Sequence, residues 1–248
     1  MDKDTVKVLV FLVIMTVSVA FVLAMFRQVT AATAAQNEDI FNKRAILTAV
    51  GDYLGEGVTV DNLKDDEVLE IFEKQVQQEV IDTDGNAIDG VTADEIDMAK
   101  EKKKPASERQ LPVYTFMNGG EKYVILSVRG NGLWDEIWGN IALKSDLNTI
   151  AGASFDHKGE TPGLGAEIKD NPSFAEQFKG DKIFEGDQYV SVLVKKGGAD
   201  ASNEHAVDAI SGATVTSDGV TQMLYNGIEL YLPYLEKLRD GGQVGSLQ

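Results

Sequence analysis

The sequence predicts an α+β fold behind one membrane-spanning helix. Three observations carry that expectation: an uncharged apolar run from Val8 to Phe26, a middle stretch of short β-type runs punctuated by Gly, Asn and Asp, and a long helical stripe closing the chain. The order is helices, then strands, then a terminal helix, which is the pattern of segregated α+β architecture. With 43% hydrophobic residues among 248, there is material for a real core, and the length suits one principal domain with appendages.

Residues 1–7 form a short charged tail. The apolar run 8–26 has 19 residues, and at about 1.5 Å per residue it makes a helix of roughly 28 Å, close to bilayer hydrocarbon thickness. A cleavable signal peptide is the alternative, helped by the small residues Ala31, Ala32, Ala34 and Ala35, but its apolar core is usually only about 7–15 residues. Lys3 and Lys7 precede the span and only Arg27 closely follows it. The positive-inside rule therefore places the tail in the cytoplasm and residues 27–248 on the outer side of the membrane.

Residues 27–110 read as a tether, helices, a hairpin and a charged linker. Ile40, Phe41, Ile46, Leu47, Val50 and Leu54 predict a helix over 39–54, with Gly55 and Gly57 behind it. Leu69, Phe72 and Val76 predict a second over 66–78, started by Asp66 and Glu67. Residues 80–88 read as a hairpin about Asp-Gly or Gly-Asn. The turn is preferred to a calcium loop there, which Asp82, Asp84 and Asn86 would otherwise suit, because position 6 is Ala87 rather than Gly and position 12 is Ala93 rather than Glu. Residues 93–110 are charged and read as a short helix and solvated linker.

From residue 111 onward the pattern becomes strand-like. Strands are expected at 113–116 and 123–128 around the Asn118-Gly119-Gly120 turn, and further apolar runs lie at 137–143, 150–155 and 189–194. An amphipathic helix is expected over 173–178. A strong one follows over 218–239, where Val220, Leu224, Ile228, Tyr231 and Leu235 share a face.

Composition removes several classes of chemistry. The chain has 23 Lys and Arg against 40 Asp and Glu, a net charge of −17, which opposes nucleic-acid binding. It has no cysteine, so disulfides, thiolate nucleophiles, iron–sulfur ligation and Cys-type zinc sites are excluded. There is no P-loop, and the pairs Gly55/Gly57, Gly130/Gly132 and Gly163/Gly165 lack the rest of a dinucleotide fingerprint. NAD is not expected to bind this chain. His157 and His205 lack the spacing of a triad or metal site and read as structural or surface residues.

One segment points to a ligand. Asp208 precedes Ser211-Gly212-Ala213-Thr214, and small residues stand just ahead of the terminal helix. Thr216 or Ser217 can serve as its N-cap. Small residues leave room beside a backbone, and a helix N-terminus offers free amides and a positive dipole end to a phosphate.

These residues resemble the flavinylation motif of the covalent FMN-binding domain family. Gly130-Asn131-Gly132-Leu133-Trp134 and His157-Lys158-Gly159-Glu160-Thr161-Pro162-Gly163-Leu164-Gly165 resemble two further segments of the same family. With the single N-terminal span, the whole resembles the C subunits of Na+-translocating NADH:quinone reductases. The resemblance implies an FMN-binding domain over 111–248 and FMN joined through its phosphate to Thr214, with Asp208, Ser211, Gly212 and Ala213 as the recognition context. It also implies Glu160, Thr161, Gly163, Leu164 and Trp134 as flavin neighbours. In those places Gly163 would permit close backbone approach, Leu164 cover a ring face and Thr161 bond the ring's polar edge. Trp138 is expected in the core, and Lys195 and Lys196 in solvent.

The implied activity is that of an electron-relay subunit in a sodium-pumping NADH:quinone oxidoreductase, holding neither the NADH site nor a catalytic side chain nor a metal of its own. The implied partners are the B subunit, iron–sulfur-bearing membrane subunits, a flavin transferase for maturation, and the lipid bilayer. The alternatives are the G subunit of the related ferredoxin:NAD electron-transport complex and an anchored non-redox scaffold.

Overall fold

A computed structural model describes residues 2–55, 57–200 and 202–241. The chain divides into two units, Met1–Asn42 and Lys43–Gln248. The helix α1 runs Lys3–Thr48, so the Ala/Thr/Gln stretch expected as a tether is helical. Alanine, the strongest helix former, recurs at 31, 32, 34 and 35 and accounts for that. Every residue from Val8 to Phe26 is exposed. Instead of reaching Leu54, the helix gives way to a 3₁₀ turn at Gly51–Tyr53.

The second unit is built on one antiparallel sheet. Its strands β1 (Val76–Ile81), β2 (Leu111–Asn118), β3 (Glu121–Asn131), β4 (Glu136–Leu143) and β5 (Ile150–His157) lie in chain order. Helix α2 covers Asp65–Gln75 and stops three residues before the expected end. Val76 is already a strand residue, opposite Phe116. The 80–88 turn forms as expected, with Asp82 accepting from the amides of Asp84 and Asn86. The boundary expected between 110 and 111 falls inside this unit, whose edge strand comes from 76–81.

Both faces of the sheet are covered, which explains why its strands read as apolar runs and not as alternation. Leu111, Val113, Val124, Leu126, Val128 and Ile141 face one core. Tyr114, Phe116, Tyr123 and Ile125 face another, with Ile46, Leu47, Val50, Val68 and Phe72. The segment 93–110 is largely exposed and holds the short helix expected there, but it is tied down at two points. It carries a 3₁₀ turn at Ala93–Glu95 and the short helix α3 (Met98–Glu101). Ala93 and Glu101 are buried, and the Glu101 carboxylate accepts from the Gln110 amide and Lys104 Nζ.

After β5 come α4 (Glu167–Asp170) and α5 (Pro172–Glu176), which bring Phe174 against Phe155 and Phe178. Four short strands follow, β6 (Phe184–Glu185), β7 (Gln188–Tyr189), β8 (Leu193–Lys195) and β9 (Ala206–Asp208). The run 189–194 is thus split, at Ser191 with φ 62°. The terminal stripe is likewise two helices, α6 (Thr214–Glu229) and α7 (Leu232–Asp240). Pro233 sits in the first turn of α7, where its missing N–H costs no bond. Tyr231 at the break is fully buried, and its hydroxyl donates to the carbonyls of Ser127 and Pro112.

Candidate functional site

The sheet topology brings the three motifs together. Asn131 pairs with Glu136 across the β3–β4 turn, and Ile137 pairs with His157 at the end of β5, so 130–134 and 157–165 share one end of the sheet. Lys158 reinforces the junction: its amide donates to Glu136 O, and its Nζ lies 3.0 Å from Asp135. The Glu136 amide and Lys158 hold the Asp135 carboxyl below its ordinary range. Helix α6 reaches the same end, where a Cβ on Gly219 would stand 2.3 Å from Asn131 O. Only glycine admits that approach.

Glu160 joins the three segments. It is 5% exposed, and both carboxylate oxygens are engaged. Oε1 accepts from the Trp134 amide at 2.9 Å, and Oε2 from the Thr216 hydroxyl at 2.6 Å. Its own amide donates to Nδ1 of His157. Hydrogen bonds to a charged acceptor are roughly twice as strong as neutral ones, so a buried carboxylate without such donors would be strongly disfavoured. Two glycines make the space: a Cβ on Gly132 would lie 2.4 Å from Oε1, and one on Gly165 2.3 Å from Oε2. Glu160 is therefore the internal tie between the segments, and its oxygens do not face an open surface.

Thr214 is the first residue of α6 and is half-buried. Helix α6 starts four residues earlier than expected, and Thr216 and Ser217 are not its N-caps. Both are buried within the first turn; Thr216 bonds Glu160, and Ser217 Oγ accepts from the Ile210 amide. The cap position belongs to Ala213, which has no side-chain acceptor, so the first-turn amides are uncapped. Gly212 adopts φ 78°, and a Cβ there would meet Leu164 Cδ2 at 2.9 Å. Ser211 and Gly212 are exposed.

Four exposed apolar side chains lie on or beside the three segments. Leu133, Trp134, Leu164 and Val215 are 52%, 68%, 40% and 52% exposed. The Trp134 indole N–H donates to Thr161 Oγ1 at 3.0 Å, which fixes the ring on the 161–164 turn. Gly163 has a φ of 74° and open space where a side chain would be, whereas Gly165 of the same turn is packed against the Glu160 carboxylate. Asp208 is exposed, and its carboxylate is committed to the Ala199 amide at 2.6 Å. Trp138 is half-buried under the Arg129 guanidinium, and Lys195 and Lys196 are exposed. Both histidine rings make structural bonds, His205 to the Lys182 carbonyl.

Comparison with known proteins identifies the domain and the family. Residues 132–229 match the model of the FMN-binding domain family, a span that contains Gly132, the 157–165 segment and Thr214. The C subunit of the Na+-translocating NADH-quinone reductase of Vibrio anguillarum is 40% identical over 195 residues, covering 71% of this chain and 76% of the relative. The corresponding C subunit of Pseudomonas aeruginosa is 34% identical, with 95% and 97% covered. The crystal structure of the Parabacteroides distasonis C subunit superposes with a TM-score of 0.72 at 36% identity, covering 83% of this chain and 96% of that one. The chain belongs to the family of Na+-translocating NADH-quinone reductase C subunits.

Proposed function

We propose that this chain is the membrane-anchored electron carrier of a Na+-translocating NADH-quinone reductase, with FMN joined by a phosphoester bond to the Thr214 hydroxyl. The observation that carries the reading is the convergence of the three motifs on the start of α6. There Thr214 stands half-buried ahead of amides that no side chain caps. A phosphoryl group on Thr214 would meet those amides and the positive end of the helix dipole. The side chains of Leu133, Trp134, Leu164 and Val215 offer apolar area to a flat ring.

When bound, the flavin supplies one- and two-electron redox chemistry; the residues of the chain hold and orient it. Glu160 fixes the Trp134 backbone and Thr216, and so locks the 132–134 loop to the first turn of α6. Thr161 holds the Trp134 indole in place. Asp208, Ser211, Gly212 and Ala213 precede the acceptor in sequence and form the context a transferase would read. A covalent tether also removes the entropic cost of retaining a cofactor on the periplasmic side. The absence of a dinucleotide fingerprint fits electron delivery from a partner subunit rather than from NADH. The B subunit and the iron–sulfur-bearing subunits are the implied neighbours, and the apolar, exposed 8–26 segment of α1 fits a single membrane span.

The test is intact mass and fluorescence under denaturing conditions on protein from its native membrane, followed by peptide mapping. The expected result is the added mass of FMN less one water on the peptide containing Thr214. Thr214→Val is expected to fold and carry none. Flavin retained by that variant through denaturation would sink the assignment.

A further inference from the structure

Besides Ala93 and Glu101, the 93–110 segment is fixed at Lys102. Residues 102–104 are the longest basic run in a chain of net charge −17, and they precede the 132–229 span that matches the FMN-binding family. Lys103 is exposed, but the Lys102 side chain is only 26% exposed. Its Nζ donates to Gly130 O at 2.9 Å and to Asn131 Oδ1, and lies 3.7 Å from a Glu136 carboxylate oxygen. One ammonium therefore bonds the end of β3 and reaches the start of β4. Gly132, Leu133 and Trp134 lie on the turn between them.

Lys102 is itself held in place by its neighbours. Asp97 caps α3 by accepting from the amides of Ala99 and Lys100. Arg109 donates to the carbonyls of Lys102 and Lys104, and Glu101 takes the Gln110 amide and Lys104 Nζ. The turn after α3 is thus closed by charged groups. Helix α6 packs directly on the same strand end: a Cβ on Gly130 would stand 2.6 Å from Met223 Cβ, and one on Gly219 2.3 Å from Asn131 O. A lysine that only solubilised the surface would keep its head in water and its stem free. Fixing Nζ on a carbonyl and a side-chain amide gives up that rotamer freedom, which charge-assisted bonds offset.

We infer that Lys102 is a positioning residue for the flavin, fixing the start of the 131–134 turn and, through that turn, the Trp134 ring that meets the cofactor. This rests on the flavin reading above. Glu160 holds the Trp134 amide and Thr161 its indole; Lys102 supplies the hold at the other end of the same turn, from a segment outside the FMN-binding span.

The test has two arms, both on detergent-solubilised full-length protein. In flavin-free Thr214→Val protein, hydrogen exchange is followed over 131–134, where the Gly132 and Trp134 amides are bonded. Lys102→Met should quicken it about tenfold, the loss expected for a charge-assisted bond; Lys102→Arg, which keeps a cationic donor, should stay near the parent rate. Asn131→Ala should add little in the Lys102→Met background, since the two residues share one bond. In flavin-carrying protein from the native membrane, Lys102→Met should move the flavin absorbance and reduction potential, and Lys102→Arg should restore both. Unchanged exchange in Lys102→Met would overturn the proposal. Faster exchange with an unmoved spectrum and potential would overturn it too, leaving Lys102 a tie of the fold alone. Failure of the flavin reading shows separately, as an unmodified mass on the Thr214 peptide of the parent protein, and the exchange arm still decides whether Lys102 holds the turn.

Discussion

Two regions of this chain expose apolar side chains, on very different scales. Every residue of α1 from Val8 to Phe26 is exposed. In the Lys43–Gln248 unit, six large apolar side chains are exposed among the described residues; three of them, Leu133, Trp134 and Leu164, belong to the three motifs, and a fourth, Val215, directly follows Thr214. The first exposure is continuous and about as long as a bilayer is thick; the second is a small patch on a closed surface. Apolar surface left out of a core marks the medium it is meant to meet; under the proposed function that is a lipid phase in one case and a flat ligand in the other.

The largest expected effect tests the first half of that comparison. Deleting residues 2–35 leaves Ile40, Ile46 and Leu47, the buried residues of α1, and Val50 just beyond it. The shortened protein should pass completely from detergent-dependent to buffer-soluble while keeping its thermal transition, measured by sedimentation after membrane fractionation and by circular dichroism. Loss of the cooperative transition would mean that the apolar stretch is needed for folding, and the two regions would no longer be separable.

The next effect concerns the foundation beneath the patch. Gly165→Ala puts a methyl group 2.3 Å from Glu160 Oε2 and 2.6 Å from Thr216 Oγ1. These groups are buried and mutually bonded, so the overpacking should cost about 3 kcal/mol in denaturant unfolding. Gly163→Ala has open space but a φ of 74°, and should cost only about 1 kcal/mol. Equal costs would show that the turn, and not Glu160, sets the geometry.

The same contrast explains what could be read from the sequence. Strands β2 to β5 were legible because apolar residues covered on both faces form unbroken runs between turn residues. Strand β1 was not, since Leu69, Phe72 and Val76 keep helical spacing across the α2–β1 junction and Gln77 and Gln78 are exposed at the sheet edge. The α6–α7 break was hidden in the same way, because Tyr231 and Leu235 continue the stripe of α6; Pro233 was the overlooked signal. At the site, Ser211 to Thr214 could be found as a local pattern. The bond from Thr216 to Glu160 spans 56 positions, and no local pattern carries it. Gly132 and Gly165 were its trace, since both lie where a Cβ would strike the Glu160 carboxylate.

A polar counterpart of the two apolar exposures sharpens the comparison further. Asp181 has one carboxylate oxygen buried without a partner. Loss of hydration, opposed by His205 and helped by Glu204, pushes its pKa up from 3.8 to about 6. Between those values the folded protein holds a proton that the unfolded chain has released, so stability falls as pH rises through that window. Asp181→Asn should flatten the fall and raise stability at neutral pH by about 1 kcal/mol, a figure already reduced for the group's partial exposure to solvent. Thermal melts of both proteins at pH 4 and pH 7 measure it; an unchanged difference between the two pH values would show that the oxygen is hydrated.

The smallest effect on stability should come from the most exposed side chain of the patch. Trp134 is 68% exposed, and its indole makes one hydrogen bond, to Thr161. In flavin-free protein, Trp134→Ala should therefore shift unfolding by no more than about 0.5 kcal/mol. In protein carrying the flavin the same substitution removes apolar area next to the ring, and the flavin absorbance and its reduction potential should both move. Trp134→Phe, which keeps the aromatic face and loses only the bond to Thr161, should restore most of the spectrum. A patch that merely happened to be uncovered would give two small effects of equal size, with and without flavin. Only a surface built for a ring gives an asymmetry between them, and that asymmetry separates the exposure around Thr214 from the exposure along α1.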